Sequence, residues 1–201
     1  MKKTLIYGFD DFGKYKENPS NSLVKQIINL NNQIQSIILP VADNAWRMLE
    51  KEIDKTKPEI IIGFGVSPGR AKISVEIIAI NKRHNSNPED YKKLSENEPI
   101  IEDNQLAQET NFNAKKLIEF LKKENIPADY SFNPGTFICN AVYYQLLTNI
   151  KTKNNNLKTI FIHIPLEKEE IMQKDNQKTI TLPTLPTQPL AKAVVKYLES
   201  L

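Results

Sequence analysis

The chain is short of several residue types, and each shortage excludes something. It has one cysteine, Cys139, in 201 residues. No intrachain disulfide can form and no cysteine-based structural zinc site can be built, which suits a reducing compartment. No apolar run reaches the roughly 18 residues that a membrane-crossing helix requires, so no membrane partner is expected. The start, Met1-Lys2-Lys3-Thr4-Leu5-Ile6-Tyr7-Gly8, lacks the apolar stretch and the cleavage site of a signal peptide and reads as a first strand. Arginine occurs only at Arg47, Arg70 and Arg83, and the net charge is a mild +3. Base-reading proteins use arginine for bidentate contacts, so nucleic acid is not an expected partner. Glycine is also scarce. The richest stretch, Gly63-Phe64-Gly65-Val66-Ser67-Pro68-Gly69-Arg70, has neither the Gly-Lys-Ser/Thr ending of a phosphate loop nor the spacing of a dinucleotide fingerprint.

What is present is an ordinary globular composition, 40% hydrophobic and 25% charged, which excludes a disordered chain. Strands are expected at 3–9, 35–41, 60–65, 73–81, 128–132 and 159–165. Helices are expected from Ser20 or Asn21 through Leu30, over 43–55, 108–123 and 139–147, and from Pro189 to Leu201. Residues 82–99 and 167–184 are polar loops. Strands and helices alternate without repeats or a composition shift. The chain is therefore expected to be one domain over residues 1–201, α/β in class, with three layers around a largely parallel sheet.

Three side chains could carry chemistry. Cys139 stands where a helix begins after Pro134-Gly135-Thr136. Free N–H groups and the dipole at such an end lower a thiol's pKa and can hold an oxyanion. The alternative is an inert buried cysteine. A cysteine nucleophile needs a base, and only His84 and His163 are available. His84 lies in a polar stretch. His163 lies near the end of a strong strand, where open α/β sheets place their sites; it could equally be a satisfied strand-edge histidine. Glu76 interrupts the apolar run Ile73-Ser74-Val75-Glu76-Ile77-Ile78-Ala79-Ile80. Buried, it requires a partner, either His163 as in a catalytic triad or Arg70 in a structural pair. In the loop Gly8-Phe9-Asp10-Asp11-Phe12-Gly13, the two phenylalanines either pack a turn or form an apolar wall beside the site.

Four blocks in order carry a resemblance: Gly8-Phe9-Asp10-Asp11-Phe12-Gly13 with Asn18-Pro19-Ser20; Gly69-Arg70 with Ile73-Ser74-Val75-Glu76 and Ala79-Ile80-Asn81; Gly135-Thr136-Phe137-Ile138-Cys139-Asn140; and Phe161-Ile162-His163-Ile164-Pro165. Together they resemble the type I pyroglutamyl peptidases, also called pyrrolidone-carboxylate peptidases. The resemblance implies a single-domain three-layer α/β/α sandwich with a mixed, largely parallel central sheet. It also implies a cytoplasmic cysteine peptidase that is metal-free, needs no cofactor and assembles as a homo-oligomer, usually a tetramer. Its substrates would be N-terminally pyroglutamylated peptides. Cys139 matches the nucleophile, His163 the base and Glu76 the orienting acid. Phe9, Phe12, Phe137 and Ile138 match residues that enclose the pyrrolidone ring, and Asn18 matches one near it. An oligomer contact is expected on an apolar patch of the 108–123 helix or the C-terminal helix.

The chain also departs from that pattern. Ser86 stands where the family has an arginine assisting near the oxyanion, Val66 where it has a glutamine thought to contact the lactam, Ile77 where it has arginine, and Lys14 where it has glycine. Arg83 is the nearest replacement for the guanidinium missing at Ser86. The alternative function is a divergent member that binds pyroglutamyl or other capped peptides with weak or lost turnover.

Overall fold

A computed structural model describes residues 1–11, 18–84, 98–153, 156–167 and 182–201. In chain order it runs β1 (Thr4–Phe9), α1 (Pro19–Leu30), β2 (Gln35–Leu39), α2 (Ala45–Thr56), β3 (Ile60–Val66), β4 (Ile73–Glu76), β5 (Ile78–Ile80), β6 (Ala107–Glu109), α3 (Ala114–Lys123), β7 (Ala128–Ser131), α4 (Ile138–Thr152), β8 (Lys158–Ile164) and α5 (Thr187–Glu199). The main sheet has the order β2-β1-β3-β8-β4-β7. Strands β2, β1, β3 and β8 are parallel; β4 meets β8 antiparallel and pairs with β7 in parallel. The sheet is thus mixed and largely parallel, as the alternating pattern predicts.

Alternation along each strand divides the core in two. Ile6, Ile62, Phe64, Val75, Ile160 and Ile162 pack with α1, α3 and α5. Leu5, Tyr7, Phe9, Ile61 and Phe161 pack with α2 and α4 on the other face. Two steps beyond Phe161, His163 shares its face; one step beyond Val75, Glu76 points to that same side. Gly63 and Gly65 have the same parity as Ile61, so β3 presents no side chain there. A Cβ on Gly63 would stand 2.2 Å from Tyr7 Cζ and 2.5 Å from Phe161 Cδ2.

Tertiary pairing redraws several expected elements. Helix α1 starts at Pro19, and its N-cap is Asn18 rather than Ser20 or Asn21; Asn18 Oδ1 accepts from Ser20 N at 3.0 Å and from Ser20 Oγ at 2.9 Å. The 73–81 run is two strands. Strand β4 ends at Glu76, Ile77 N donates to Ser131 O at 2.8 Å, and β5 then joins a second sheet with β6. The first residues of the expected 108–123 helix are that partner strand. Thr110 Oγ1 donates to Thr159 O at 2.6 Å and Asn111 Nδ2 to Leu157 O at 2.7 Å, and the helix begins only after its cap, Asn113. Most of the two expected polar loops, 85–97 and 168–181, lies outside the described residues.

Neither α3 nor α5 exposes a large apolar side chain, contrary to the expected contact surface. Leu117, Ile118, Leu121, Leu190, Val194 and Leu198 all turn into the core, and the large apolar side chains that do face solvent include Leu106, Tyr130, Phe132 and Phe137. No described helix is long and apolar enough to cross a membrane.

Gly63→Ala is expected to lower stability by about 1–3 kcal/mol through overpacking against Tyr7 and Phe161. The check is the urea midpoint at an unchanged m-value.

Candidate active site

The site is built where β4, β8 and the start of α4 meet. In the antiparallel register, Glu76 stands opposite Phe161 and Ser74 opposite His163. Glu76 and His163 are therefore diagonal neighbours on one face, a separation that long side chains bridge. Glu76 Oε1 lies 2.8 Å from His163 Nδ1. The same oxygen lies 3.1 Å from Arg70 Nη1. Both partners that the sequence offered for Glu76 are therefore used at once. The other oxygen, Oε2, has no hydrogen-bond partner among the described residues, and the side chain is 0% exposed.

Cys139 is the second residue of α4. The helix N-cap is Phe137, and no side chain caps the first N–H groups, so they remain available to a ligand oxygen. The cysteine is partly exposed. In β3, Gly65 pairs with His163, and a Cβ on Gly65 would stand 3.0 Å from Cys139 Sγ and 2.8 Å from Phe161 Cζ. The sulfur thus rests over a bare stretch of β3 beside the histidine strand. No hydrogen bond joins Cys139 to His163 among the described residues; the Glu76–His163 link is made and the thiol–imidazole link is not. Burial pushes the Cys139 thiol up to about 12; a hydrogen bond from its own backbone N–H opposes this, and the Glu76 charge adds to it. Burial also lowers His163 below its ordinary value, against the hydrogen bond and charge of Glu76 and with help from the Arg70 charge. Both groups are consequently neutral near pH 7.

Asn140 holds the helix start in place. Its side chain accepts from Ile80 N at 2.8 Å and donates to Ile80 O at 2.8 Å and Lys82 O at 3.1 Å. Thr136 and His84 exchange two further bonds: His84 N donates to Thr136 O, and Thr136 Oγ1 donates to His84 O, each at 3.1 Å. Tyr143 Oη donates to the Glu76 carbonyl at 3.1 Å. Sequence reasoning missed Asn140 as a supporting residue; the available signal was an amide directly after Cys139 and before the apolar stretch Ala141 to Tyr144.

The remaining expected site residues lie in different settings. Phe137 is exposed and Ile138 buried at the start of α4. Phe9 is buried in an aromatic cluster, 5.9 Å from Tyr7 and 6.4 Å from Phe161 between ring centroids, and the Phe161 ring is 4.9 Å from that of His163. Asn18 is buried, and both ends of its amide are engaged, Oδ1 in capping α1 and Nδ2 in donating to Asp10 O at 3.0 Å. Phe12, Lys14 and Ser86 lie outside the described residues. His84 is exposed. Arg83 Nη1 is held by Asp43 Oδ1 at 3.1 Å. Val66 is buried at the end of β3.

The family model described as pyroglutamyl peptidase matches residues 2–200. The chain belongs to the pyroglutamyl peptidase family. It is 36% identical over 183 residues to the pyrrolidone-carboxylate peptidase of Thermosipho africanus, covering 90% of this chain and 89% of the relative. The corresponding enzyme of Pyrococcus furiosus is 35% identical over 176 residues, 86% of this chain and 85% of its own. A solved structure of a mutant pyrrolidone carboxyl peptidase from P. furiosus superposes with a TM-score of 0.88 at 32% identity, covering 98% of this chain and 96% of that one. The pyroglutamyl peptidase I of Bacillus amyloliquefaciens superposes with a TM-score of 0.86 at 33% identity, covering 96% and 91%. As a member, the chain is an enzyme of the pyroglutamyl peptidase I type.

Asn140→Ala removes three hydrogen bonds to part-buried backbone groups of Ile80 and Lys82. A loss of about 1–3 kcal/mol is expected, to be read from chemical denaturation.

Proposed function

We propose that the chain removes the N-terminal pyroglutamyl residue from peptides by cysteine catalysis, with Cys139 as nucleophile, His163 as general base and Glu76 as the acid that orients it. The observation supporting this most directly is the 2.8 Å contact of Glu76 Oε1 with His163 Nδ1. An ionised Glu76 makes Nδ1 the donor, which leaves Nε2 as the proton acceptor. The thiol turns to Nε2 as substrate enters and gives up its proton while its sulfur attacks the pyroglutamyl carbonyl carbon. The raised thiol and the lowered imidazole favour a transfer that accompanies attack over an ion pair formed beforehand. The carbonyl oxygen becomes an oxyanion held by the uncapped N–H groups of α4. On collapse, His163 returns the proton to the leaving amine, and a pyroglutamyl thioester remains on Cys139. Water, deprotonated by His163, then attacks the thioester, releasing pyroglutamate and the thiol.

Pyroglutamate carries no charged amine, so its lactam is suited to an apolar wall. Phe137 offers the exposed part of that wall, Ile138 its base, and Phe9 the packing behind Phe161, whose ring meets that of His163. Phe12 belongs to the same reading. Asn18 serves it by fixing the loop after β1. Assembly as a homo-oligomer, a tetramer by family resemblance, is part of the reading, as is a cytoplasmic setting.

A second reading, binding of capped peptides with little turnover, is favoured by the departures at Val66 and Ser86 and by the engagement of Arg83 with Asp43. Binding of 2-pyrrolidone with no hydrolysis of a pyroglutamyl arylamide selects it.

Under the leading reading, the chain hydrolyses a pyroglutamyl arylamide, Cys139→Ala abolishes turnover, and Glu76→Gln lowers kcat by about 10²- to 10⁴-fold while KM changes little. Protonation of His163 removes the base as pH falls. Because its value is lowered, the acid limb of kcat/KM is expected below the ordinary histidine value of 6.5. A limb at or above that value contradicts the lowered imidazole, and turnover that survives Cys139→Ala contradicts the mechanism.

A further inference from the structure

Arg70 touches four parts of the site at once. Its Nε donates to Ser67 Oγ at 3.0 Å, in the turn after β3. Its Nη1 donates to Ser131 Oγ at 3.0 Å, at the end of β7, and lies 3.1 Å from Glu76 Oε1. Its Nη2 donates to Asn133 O at 2.7 Å, in the loop that leads into α4. Such a fork, pinned on several sides, presents its charge from a fixed direction.

The direction matters because of what Glu76 must do. A carboxylate with no exposure and one unpartnered oxygen needs a counter-charge to stay ionised. If a proton neutralised it, the acid could donate to Nδ1 of His163. Nδ1 would then be the acceptor and Nε2 would carry the hydrogen. An imidazole in that tautomer cannot accept the thiol's proton.

We infer that Arg70 is a positioning residue for this enzyme: it holds Glu76 as an anion against Nδ1, so that Nε2 of His163 stays unprotonated, and it ties that pair to the loop before Cys139. This rests on the Cys139–His163–Glu76 reading above and deepens it. The charged and titratable groups that interact with the pair among the described residues are Arg70 and, on α4, Cys139 and Tyr143, with Tyr7 of β1 behind them against Cys139 and Tyr143; Arg70 is the cation of this set. Its charge opposes protonation of His163, so its removal raises the pH at which the Glu76–His163 unit gives up its proton.

The test compares Arg70→Gln and Arg70→Lys with the unsubstituted chain. Arg70→Gln is expected to lose about a hundredfold in kcat with KM little changed. Its acid limb of kcat/KM should move to higher pH. Arg70→Lys keeps the charge and should restore the limb to its original position, with kcat still reduced by the lost fork. Imidazole ¹⁵N spectra of His163 provide a readout that needs no turnover: hydrogen on Nδ1 in the unsubstituted chain, and a shift toward hydrogen on Nε2 in Arg70→Gln. A folded Arg70→Gln with an unmoved limb and an unchanged tautomer overturns the inference. If Arg70→Gln does not fold, Arg70→Lys decides: an unmoved limb with reduced kcat supports the inference, and a displaced limb overturns it. Absence of turnover in the unsubstituted chain overturns the peptidase reading, whereas the tautomer spectra separately support or overturn the hold of Arg70 on the pair.

Discussion

A fully buried carboxylate organises this molecule. Glu76 is the acidic side chain that the described core encloses, and burying a charge costs several kcal/mol unless it is paired and hydrogen-bonded (about that order for each ion). The fold meets the cost with one oxygen shared between an imidazole at 2.8 Å and a guanidinium at 3.1 Å. Each partner comes from a different part of the chain. His163 requires β8 to lie antiparallel to β4, and Arg70 requires the turn after β3 to reach across to Ser131 and Asn133. Register, loop path and helix start are therefore tied to a single carboxylate.

The second constraint is room. On β3, alternation sends Ile60, Ile62 and Phe64 to one face and Ile61, Gly63 and Gly65 to the other. The two glycines are not there for backbone freedom or phosphate binding. Their missing side chains leave space for the rings of Tyr7 and Phe161 and for the sulfur of Cys139. Helix α4 can then lie close enough for Tyr143 to reach the Glu76 carbonyl and for Asn140 to bind the β5 backbone. Close packing on this face removes much of the water around the sulfur and the imidazole, which raises the thiol and lowers the imidazole.

The departures from the family pattern acquire physical settings. Ile77, where relatives by resemblance carry arginine, is the residue at which the chain leaves one sheet for another, and it is buried among apolar neighbours. Val66, buried at the end of β3, has no side-chain amide to offer a lactam. Arg83 is engaged with Asp43 and with the Glu98 backbone.

Much of this was legible in the sequence, for identifiable reasons. Apolar runs bounded by glycine and proline marked β1, β3 and β8, because strands buried on both faces must be continuously apolar. A carboxylate inside such a run, a histidine at the end of another and a cysteine after a turn marked candidate site residues, the first because it is costly to bury unpaired, the other two because strand ends and helix starts are where such groups can react. What sequence could not decide was anything set by pairing across the fold. The helical spacing at 108–123 did not reveal that 107–109 would be a strand, because only β5 supplies its partner. The choice between His163 and Arg70 as partner for Glu76 was open because the first depends on the antiparallel register of β4 with β8 and the second on the path of the turn after β3, and local pattern encodes neither. The glycines of β3 were unreadable for the same reason, since the space above them is filled by Tyr7, Cys139 and Phe161, all far from β3 along the chain. Composition and local spacing determined which elements form and which side chains are chemically unusual. The tertiary structure alone determined which of those side chains meet, because distance in a folded sheet is set by strand order and register rather than by separation along the chain.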